Sequence, residues 1–234
     1  MAILNIGSRL RRQLPAQPCQ LCGSLSHDGL CCAACDAELP RLGTANCPVC
    51  ALPTLAGGVC GRCLRDPPHF DRTVAAFSYR FPLNQLIKAL KFHEQLILAD
   101  FLADAVIPRI VSRPDLIMAL PLHPARLRIR GFNQSQLLAA RIARRLDIPL
   151  LTNVCQRVRD TPPQSSLPWQ ERDKNMRKAF AVAADVGWQG QHIAIVDDVM
   201  TSGASMSALA ETVKQAGAGE VSAWVVARTL PRSA

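Results

Sequence analysis

The residues best suited to chemistry are two adjacent aspartates, Asp197 and Asp198, and the short polar segment behind them. Four apolar residues, 193–196, predict a buried strand with the carboxylates at its carboxyl end, where open α/β sheets bind ligands. Residues 201–205 are small or hydroxylic and lead into a predicted helix, whose first backbone N–H groups attract anions. Gly203 permits a positive φ or a close backbone approach. A carboxylate pair beside a phosphate cradle fits a phosphorylated sugar, whose neighbouring hydroxyls donate hydrogen bonds to the carboxylates.

Two other interpretations of this acidic segment are less consistent with the sequence. The Walker B strand of an NTPase would need a GxxxxGK[ST] loop elsewhere, and the chain contains none. A solvated acidic pair on a capped strand fits poorly with a preceding apolar run and five following small residues. The sugar-phosphate site is therefore the favoured interpretation.

Nine of the ten cysteines fall between positions 19 and 63, mostly in pairs with a two-residue gap. Such a gap lets one turn direct two thiolates at a tetrahedral ion, and two turns complete a four-sulfur site. A thioredoxin-like redox pair would occur once, beside a βαβ pattern. We therefore predict two structural zinc sites. Their ligands are Cys19, Cys22, Cys32, Cys35, Cys47, Cys50, Cys60 and Cys63.

Two features of the cysteine segment stay open at this stage. Cys31 could replace Cys32 as a ligand, and the two sites could interleave along the chain. A four-thiolate site has no open position for chemistry, which favours a structural role. The segment holds few basic residues (Arg41, Arg62 and Arg65), so only a weak nucleic-acid contact is left possible.

Alternating apolar runs and amphipathic patterns follow the cysteines and predict a parallel sheet covered on both faces. Strands are expected at 73–79, 116–120, 193–196 and 221–226, and helices at 83–90, 96–110, 134–146 and 206–213. A turn-rich joint at 65–70 divides the chain. We predict an N-terminal arm and double zinc-ribbon module over 1–66 and an α/β domain over 67–234.

Composition limits the partners and the compartment. The net charge of +9 suits phosphate or polyanion partners, while one Tyr and three Trp argue against a stacking platform for single-stranded nucleic acid. No apolar run is long enough to insert in a membrane, and the first fifteen residues lack the pattern of a signal peptide. We expect a cytoplasmic protein, where reduced cysteines bind metal.

The run IVDDVMTSGAS resembles the phosphoribosyl pyrophosphate (PRPP) signature of type I phosphoribosyltransferases. From Cys19 to about Leu230 the chain resembles the ComF family, and within it the GntX-like DNA-utilisation proteins. RGFNQS at 130–135 and a run from Arg157 to Phe180 extend the resemblance. It implies a type I phosphoribosyltransferase-like domain preceded by four-cysteine zinc ribbons.

The same resemblance implies roles for individual residues. Asp197 and Asp198 would hold the ribose hydroxyls, and Mg²⁺ would accompany PRPP. The loop after Leu120 would face the pyrophosphate. A Pro-rich segment, 156–166, is either a lid that carries catalytic arginines or a surface loop. The implied PRPP-binding residues are Asp197, Asp198, Val199, Thr201, Ser202, Gly203, Ala204 and Ser205; the pyrophosphate-binding residues are Arg126, Arg128 and Arg130; the lid arginines are Arg157 and Arg159.

Two functions fit these expectations. The first is a phosphoribosyltransferase that transfers phosphoribosyl from PRPP to a nucleobase, in base salvage or DNA utilisation. The second is a non-catalytic module that senses PRPP or a nucleotide and docks a DNA-uptake partner through its zinc ribbons. Thr201 stands where the 6-oxopurine enzymes of this fold carry a general-base aspartate, so hypoxanthine and guanine are unlikely acceptors.

Overall fold

A computed structural model describes residues 16–27, 29–159, 178–183 and 186–231. The N-terminal arm, most of the expected lid and part of the run that extends the resemblance lie outside these residues. Within the described residues, no helix is both long enough and apolar enough to cross a membrane.

Short elements form the cysteine-rich part of the chain, and regular strands and helices form the rest. The strands are β1 (Gln17–Pro18), β2 (Leu25–Ser26), β3 (Arg72–Ser78), β4 (Leu116–Ala119), β5 (Leu150–Leu151), β6 (Cys155–Arg157), β7 (Phe180–Val182), β8 (His192–Met200) and β9 (Glu220–Arg228). The α-helices are α1 (Ala33–Ala37), α2 (Gly61–Arg65), α3 (Leu83–Phe92), α4 (Leu98–Val106), α5 (Pro124–Arg130), α6 (Gln134–Leu146) and α7 (Ala204–Gln215).

A five-stranded parallel sheet in the order β3-β9-β8-β4-β5 is the centre of the fold. Its central strands are apolar on both faces, as parallel strands covered by helices must be. In β8, Ala194 and Val196 join the apolar cluster that includes α3, α4 and α6. Ile193 and Ile195 join the cluster on the α7 side. The predicted α/β fold class is confirmed.

The helices bury the apolar stripes that the sequence predicts. In α3 the stripe is Leu83, Leu86, Ile87 and Leu90, at the three- and four-residue steps of one helical face, and all four are at most 1% exposed. Helix α6 spans the predicted residues and buries Leu138 and Ile142 in the same way. The expected helix over 96–110 is shorter, because a 3₁₀ turn with Pro108 follows α4.

The cysteine-rich part of the chain covers the open edge of the sheet at β3. The backbone N–H of Leu42 donates to the carbonyl of Ala76 at 3.0 Å, and that of Ser78 donates to Pro40 at 2.8 Å. These bonds satisfy edge groups that would otherwise be free to pair with another chain. The segment before residue 67 is therefore bonded directly to the α/β sheet.

Candidate functional site

Strand β8 carries the two aspartates just beyond the point where its pairing with β4 ends. The strand pairs with β4 only as far as Val196, but with β9 as far as Met200. The sequence predicted that the strand would end at Val196. It is instead nine residues long, because β9 continues to pair with it. Asp197 and Asp198 thus lie within β8 and just beyond the carboxyl end of the β4–β8 pairing.

Gly203 and Ser202 define the turn of the loop behind the pair. Gly203 has a φ of 88° and caps the N-terminus of α7, a conformation that an L-residue adopts only with strain. The hydroxyl of Ser202 accepts the backbone N–H of Ala204 at 3.3 Å. The loop therefore turns directly into α7, a twelve-residue helix whose dipole favours an anion at this end.

Hydrogen bonds from α6 and α3 position both carboxylates. Ser135 donates from its hydroxyl to Asp197 Oδ1 at 2.7 Å, and Gln134 Nε2 lies 3.5 Å from Asp198 Oδ1. Lys91 forms an ion pair with Asp198 Oδ2. Asp198 is only 2% exposed, so this ammonium group supplies charge compensation that water cannot.

The two carboxyl groups differ in their proton affinity. Burial and the neighbouring charge of Asp198 raise the pKa of Asp197. Burial acts on Asp198 in the same direction, but Lys91 outweighs it and lowers the pKa of Asp198. One carboxylate is therefore firmly ionised, while the other readily holds a proton, a state suited to bonding two adjacent hydroxyls.

The sequence analysis did not predict a role for Lys91. A signal was present, since Lys91 is four residues after the buried Ile87 and so continues its row along the helix. Gln134 and Ser135 lie within the RGFNQS run, but no sequence pattern indicates their individual contacts.

The three arginines assigned to pyrophosphate lie on helix α5 and not on a loop. Pro124 at the first helical turn and the left-handed Gly131 after the last residue define this helix. Arg126 and Arg130 line a cavity of about 240 Å³ together with Lys91. Arg128 does not line this cavity and is exposed.

Arg130 is also connected to the acidic pair. Its Nη1 donates to Gln134 Oε1 at 2.6 Å, and Gln134 in turn contacts Asp198. The guanidinium lies 5.3 Å from the ring centroid of Phe92. Hence two of the three arginines face the side of the acidic pair where Lys91 lies.

The two arginines assigned to a lid occupy different environments. Arg157 ends strand β6 and is 5% exposed, with its guanidinium 5.9 Å from the ring centroid of Phe180 on β7. Arg159 is exposed. Strand β6 thus includes Gln156 and Arg157, the first two residues of the expected lid, and residues 160–166 lie outside the described part.

The paired cysteines form two compact clusters that follow one another along the chain. Cys19, Cys22, Cys32 and Cys35 make the first cluster, with sulfur atoms within 4.8 Å of one another; Cys47, Cys50, Cys60 and Cys63 make the second. Four thiols at these distances fit the tetrahedral sulfur coordination of zinc. In both clusters the third cysteine's backbone N–H points at the first sulfur, at 3.4 Å in the first cluster and 3.3 Å in the second.

The side chains of Cys31 and Cys32 lie in different environments. The Cys32 sulfur lies 3.8 Å from that of Cys22, whereas Cys31 is buried in the apolar core. The sulfur of Cys31 is not among the four of the first cluster, and burial raises the pKa of this thiol to about 12. Cys155 lies apart on β6, and burial raises its pKa to about 12 as well.

Comparisons with known proteins give relatives along most of the chain. The DNA utilization protein YhgH of Salmonella typhimurium is 35% identical over 221 residues, covering 91% of this chain and 96% of its own length. Competence protein F of Haemophilus influenzae is 33% identical over 178 residues, 72% of this chain and 78% of its own. Competence protein ComFC of Bacillus subtilis is 24% identical, with 88% and 87% covered. A scan against protein-family models finds no match.

Solved structures similar to the chain include two phosphoribosyltransferases. The adenine phosphoribosyltransferase of Thermoanaerobacter pseudethanolicus has a TM-score of 0.34 and 19% identity, over 58% of this chain and 68% of the other. The purine phosphoribosyltransferase of Pyrococcus horikoshii has a TM-score of 0.31 and 22% identity, over 60% and 90%. TM-scores of this size are too low to establish a shared fold.

Proposed function

The chain belongs to the ComF family of DNA utilization and competence proteins, and from this premise we propose that it binds PRPP with Mg²⁺ at the acidic pair. Three groups near the carboxyl end of β8 support the proposal. These are Asp197 with Asp198, the loop at 201–205, and the cations Lys91, Arg126 and Arg130. Sugar hydroxyls, a 5′-phosphate and a pyrophosphate need these three kinds of partner.

Each part of PRPP has a partner of suitable chemistry. The carboxylates of Asp197 and Asp198 accept hydrogen bonds from the ribose hydroxyls. Backbone N–H groups of the loop at 201–205 and the α7 dipole bind the 5′-phosphate. Arg126 and Arg130 bind pyrophosphate oxygens, which the arginine fork matches bidentately. Carboxylate oxygens also suit a hard cation, and Mg²⁺ held mainly by the substrate neutralises the pyrophosphate charge.

We propose phosphoribosyl transfer as the activity. The bond between ribose C1 and the pyrophosphate oxygen breaks, and a nitrogen nucleophile forms the new bond at C1. The protein positions the ribose through the acidic pair and stabilises the charge that grows on the leaving group through Arg126 and Arg130. Arg157, Arg159 and residue 199 belong to the same proposal. Arg128 is given no role in it, because it does not line the cavity that Arg126 and Arg130 share with Lys91. We place this reaction in the cytoplasm.

A second function is supported by the relatives' names, which refer to DNA utilization and competence and not to an enzyme. In this case the protein binds PRPP without turnover and docks a DNA-uptake partner through the cysteine module. Titration calorimetry with PRPP and Mg²⁺, followed by a pyrophosphate-release assay over a broad panel of bases, separates the functions. Binding with release supports the transferase, and binding without release supports the sensor. No binding would contradict both.

Replacing Arg130 with alanine is expected to weaken PRPP binding by roughly tenfold to a hundredfold. One charge-assisted hydrogen bond contributes about 1.5–3 kcal/mol, which corresponds to this range. Arg128→Ala is the matched control, because Arg128 is on the same helix but exposed. Its affinity should stay within about twofold of the parent, since surface changes away from a site have small effects. Equal losses in both variants would contradict the assignment.

A further inference from the structure

Arg228, the last residue of β9, is fully buried between the second cysteine cluster and the phosphate loop. Its Nε donates to the carbonyl of Cys50 at 2.7 Å. Its Nη1 donates to the carbonyls of Met200 at 2.9 Å and of Thr201. One rigid guanidinium therefore fixes the backbone of a cluster cysteine relative to the start of the loop.

A second arginine, which lies within the cysteine cluster itself, also bonds to the phosphate loop. Arg62 lies between Cys60 and Cys63, and its Nη1 donates to the carbonyl of Ser202 at 3.1 Å. A third bond follows the cluster along the chain, where the backbone N–H of His69 donates to Ser207 Oγ in α7 at 3.0 Å. The turn at 200–203 is thus attached to the second cluster, and the joint that follows the cluster is attached to α7.

The buried positive charge of Arg228 needs a negative partner, and the metal-bound second cluster would supply one. Among the described residues, no carboxylate forms an ion pair with Arg228, and its Nη2 has no hydrogen-bond partner. A buried cation without compensation is costly. Four thiolates around Zn²⁺ carry a net charge of 2−, and Cys50 contributes both a thiolate to that site and the carbonyl that Arg228 contacts.

The first cluster has a different environment. Cys19 packs into the apolar core together with residues of α3, α4 and α6, away from the α7 side of the sheet. The two clusters have the same ligand spacing, with nine residues between the second and third cysteines in each. The first cluster can therefore serve as the control for changes made in the second.

We propose that metal bound by the second cluster holds the phosphate loop in its binding shape through Arg62 and Arg228. These two arginines are positioning residues, and the first cluster does not share this role. The importance of the loop shape rests on the proposed PRPP function, whereas the coupling of metal to loop can be measured without PRPP. Metal occupancy of the second cluster then sets the affinity for the sugar phosphate.

The first test replaces Arg62 with alanine and measures hydrogen exchange of the backbone amides at 201–205 in the full-length, ligand-free protein. Losing a bond of about 1.5 kcal/mol should speed this exchange by roughly tenfold and weaken PRPP binding by a similar factor. Arg109→Ala is the control, because Arg109 donates to the carbonyl of Leu42 at 2.6 Å and so joins the cysteine module to the 3₁₀ turn after α4, away from the loop. Loop exchange in this control should match the parent. Unchanged exchange in Arg62→Ala would overturn the proposal.

The second test compares Cys60→Ser with Cys32→Ser, the third ligand of each cluster. Each variant should lose about one zinc per chain by elemental analysis, but only Cys60→Ser should speed exchange at 201–205 by more than it speeds exchange in the rest of the sheet. Equal exchange in both variants would overturn the proposal. If the parent protein fails to bind PRPP, the proposed function is contradicted while the exchange result still decides the coupling. Arg62→Ala keeps both clusters, so loop exchange in this variant tests the coupling between cluster and loop even if Cys60→Ser does not fold.

Discussion

Replacing both Asp197 and Asp198 with asparagine should lower the affinity for PRPP by about a hundredfold or more, measured by titration calorimetry with Mg²⁺. Each lost bond between a carboxylate and a ribose hydroxyl contributes about 1.5–3 kcal/mol, and each 1.4 kcal/mol is a factor of ten. The single variant Asp197→Asn should keep the fold, because an amide oxygen still accepts the hydroxyl of Ser135. Its loss of affinity then reports on the site alone.

Asp198→Asn requires a second change, because the structure gives this residue two roles. Removing its charge leaves the ammonium group of Lys91 buried without its partner, at a cost of about 3–5 kcal/mol of folding free energy. Asp198→Asn combined with Lys91→Met should recover much of that stability while PRPP binding stays weak. Recovery of binding in this combination would show that the loss came from misfolding and not from the site.

Asp115→Asn is the matched control for the acidic pair. Asp115 accepts the backbone N–H of His192 at 2.8 Å, at the opposite end of β8 from the site. Its affinity for PRPP should stay within about twofold of the parent, as expected for a distant change. An Asp115 variant that binds as poorly as the Asp197 variant would contradict the location of the site.

Removing metal with a strong chelator should cause the largest loss of stability. We expect about two zinc ions per chain by elemental analysis, and each structural site contributes about 10 kcal/mol or more to folding. The two sites together exceed the usual free energy of unfolding of a whole domain, so the melting temperature should fall by tens of degrees or the transition should be lost. Differential scanning calorimetry measures the change.

The physical reason for this large effect is the packing of the cysteine module against the sheet. Cys19 and Leu39 belong to the main apolar cluster, and residues 40–42 bond to strand β3. Loss of the module thus exposes both core and sheet edge. Cys155→Ala is the control and should keep about two zinc ions, because Cys155 lies outside both clusters. A metal-free protein with unchanged melting temperature would contradict the metal sites.

Periodicity predicted the sheet and its main helices because their apolar residues are buried at regular spacing. The stripe on α3 and the limits of α6 follow this rule. Helix α5 was missed although its signals were present: Pro124 begins it and Gly131 follows it with a φ of 80°. Strand β8 was predicted too short because its last residues are paired by β9 alone, which no local pattern records.

The candidate site was predictable where neighbouring residues form it and not where distant elements meet. The acidic pair and the loop at 201–205 are contiguous, so sequence alone brings them together. The bonds of Arg62 and Arg228 join residues 140 and 178 positions apart. Their partners are backbone carbonyls, which carry no sequence signal. The choice of Cys32 over Cys31 likewise depends on which thiol the folded chain buries in the core.

A crystal structure of the protein with PRPP and Mg²⁺ tests the central claim most directly. We expect the 5′-phosphate within hydrogen-bond distance of the backbone amides at 201–205, and the ribose hydroxyls on Asp197 and Asp198. We also expect the pyrophosphate to lie beside Arg130. A ligand bound elsewhere, or an acidic pair that keeps its bonds to Lys91 and Ser135 and makes none to the sugar, would contradict the account.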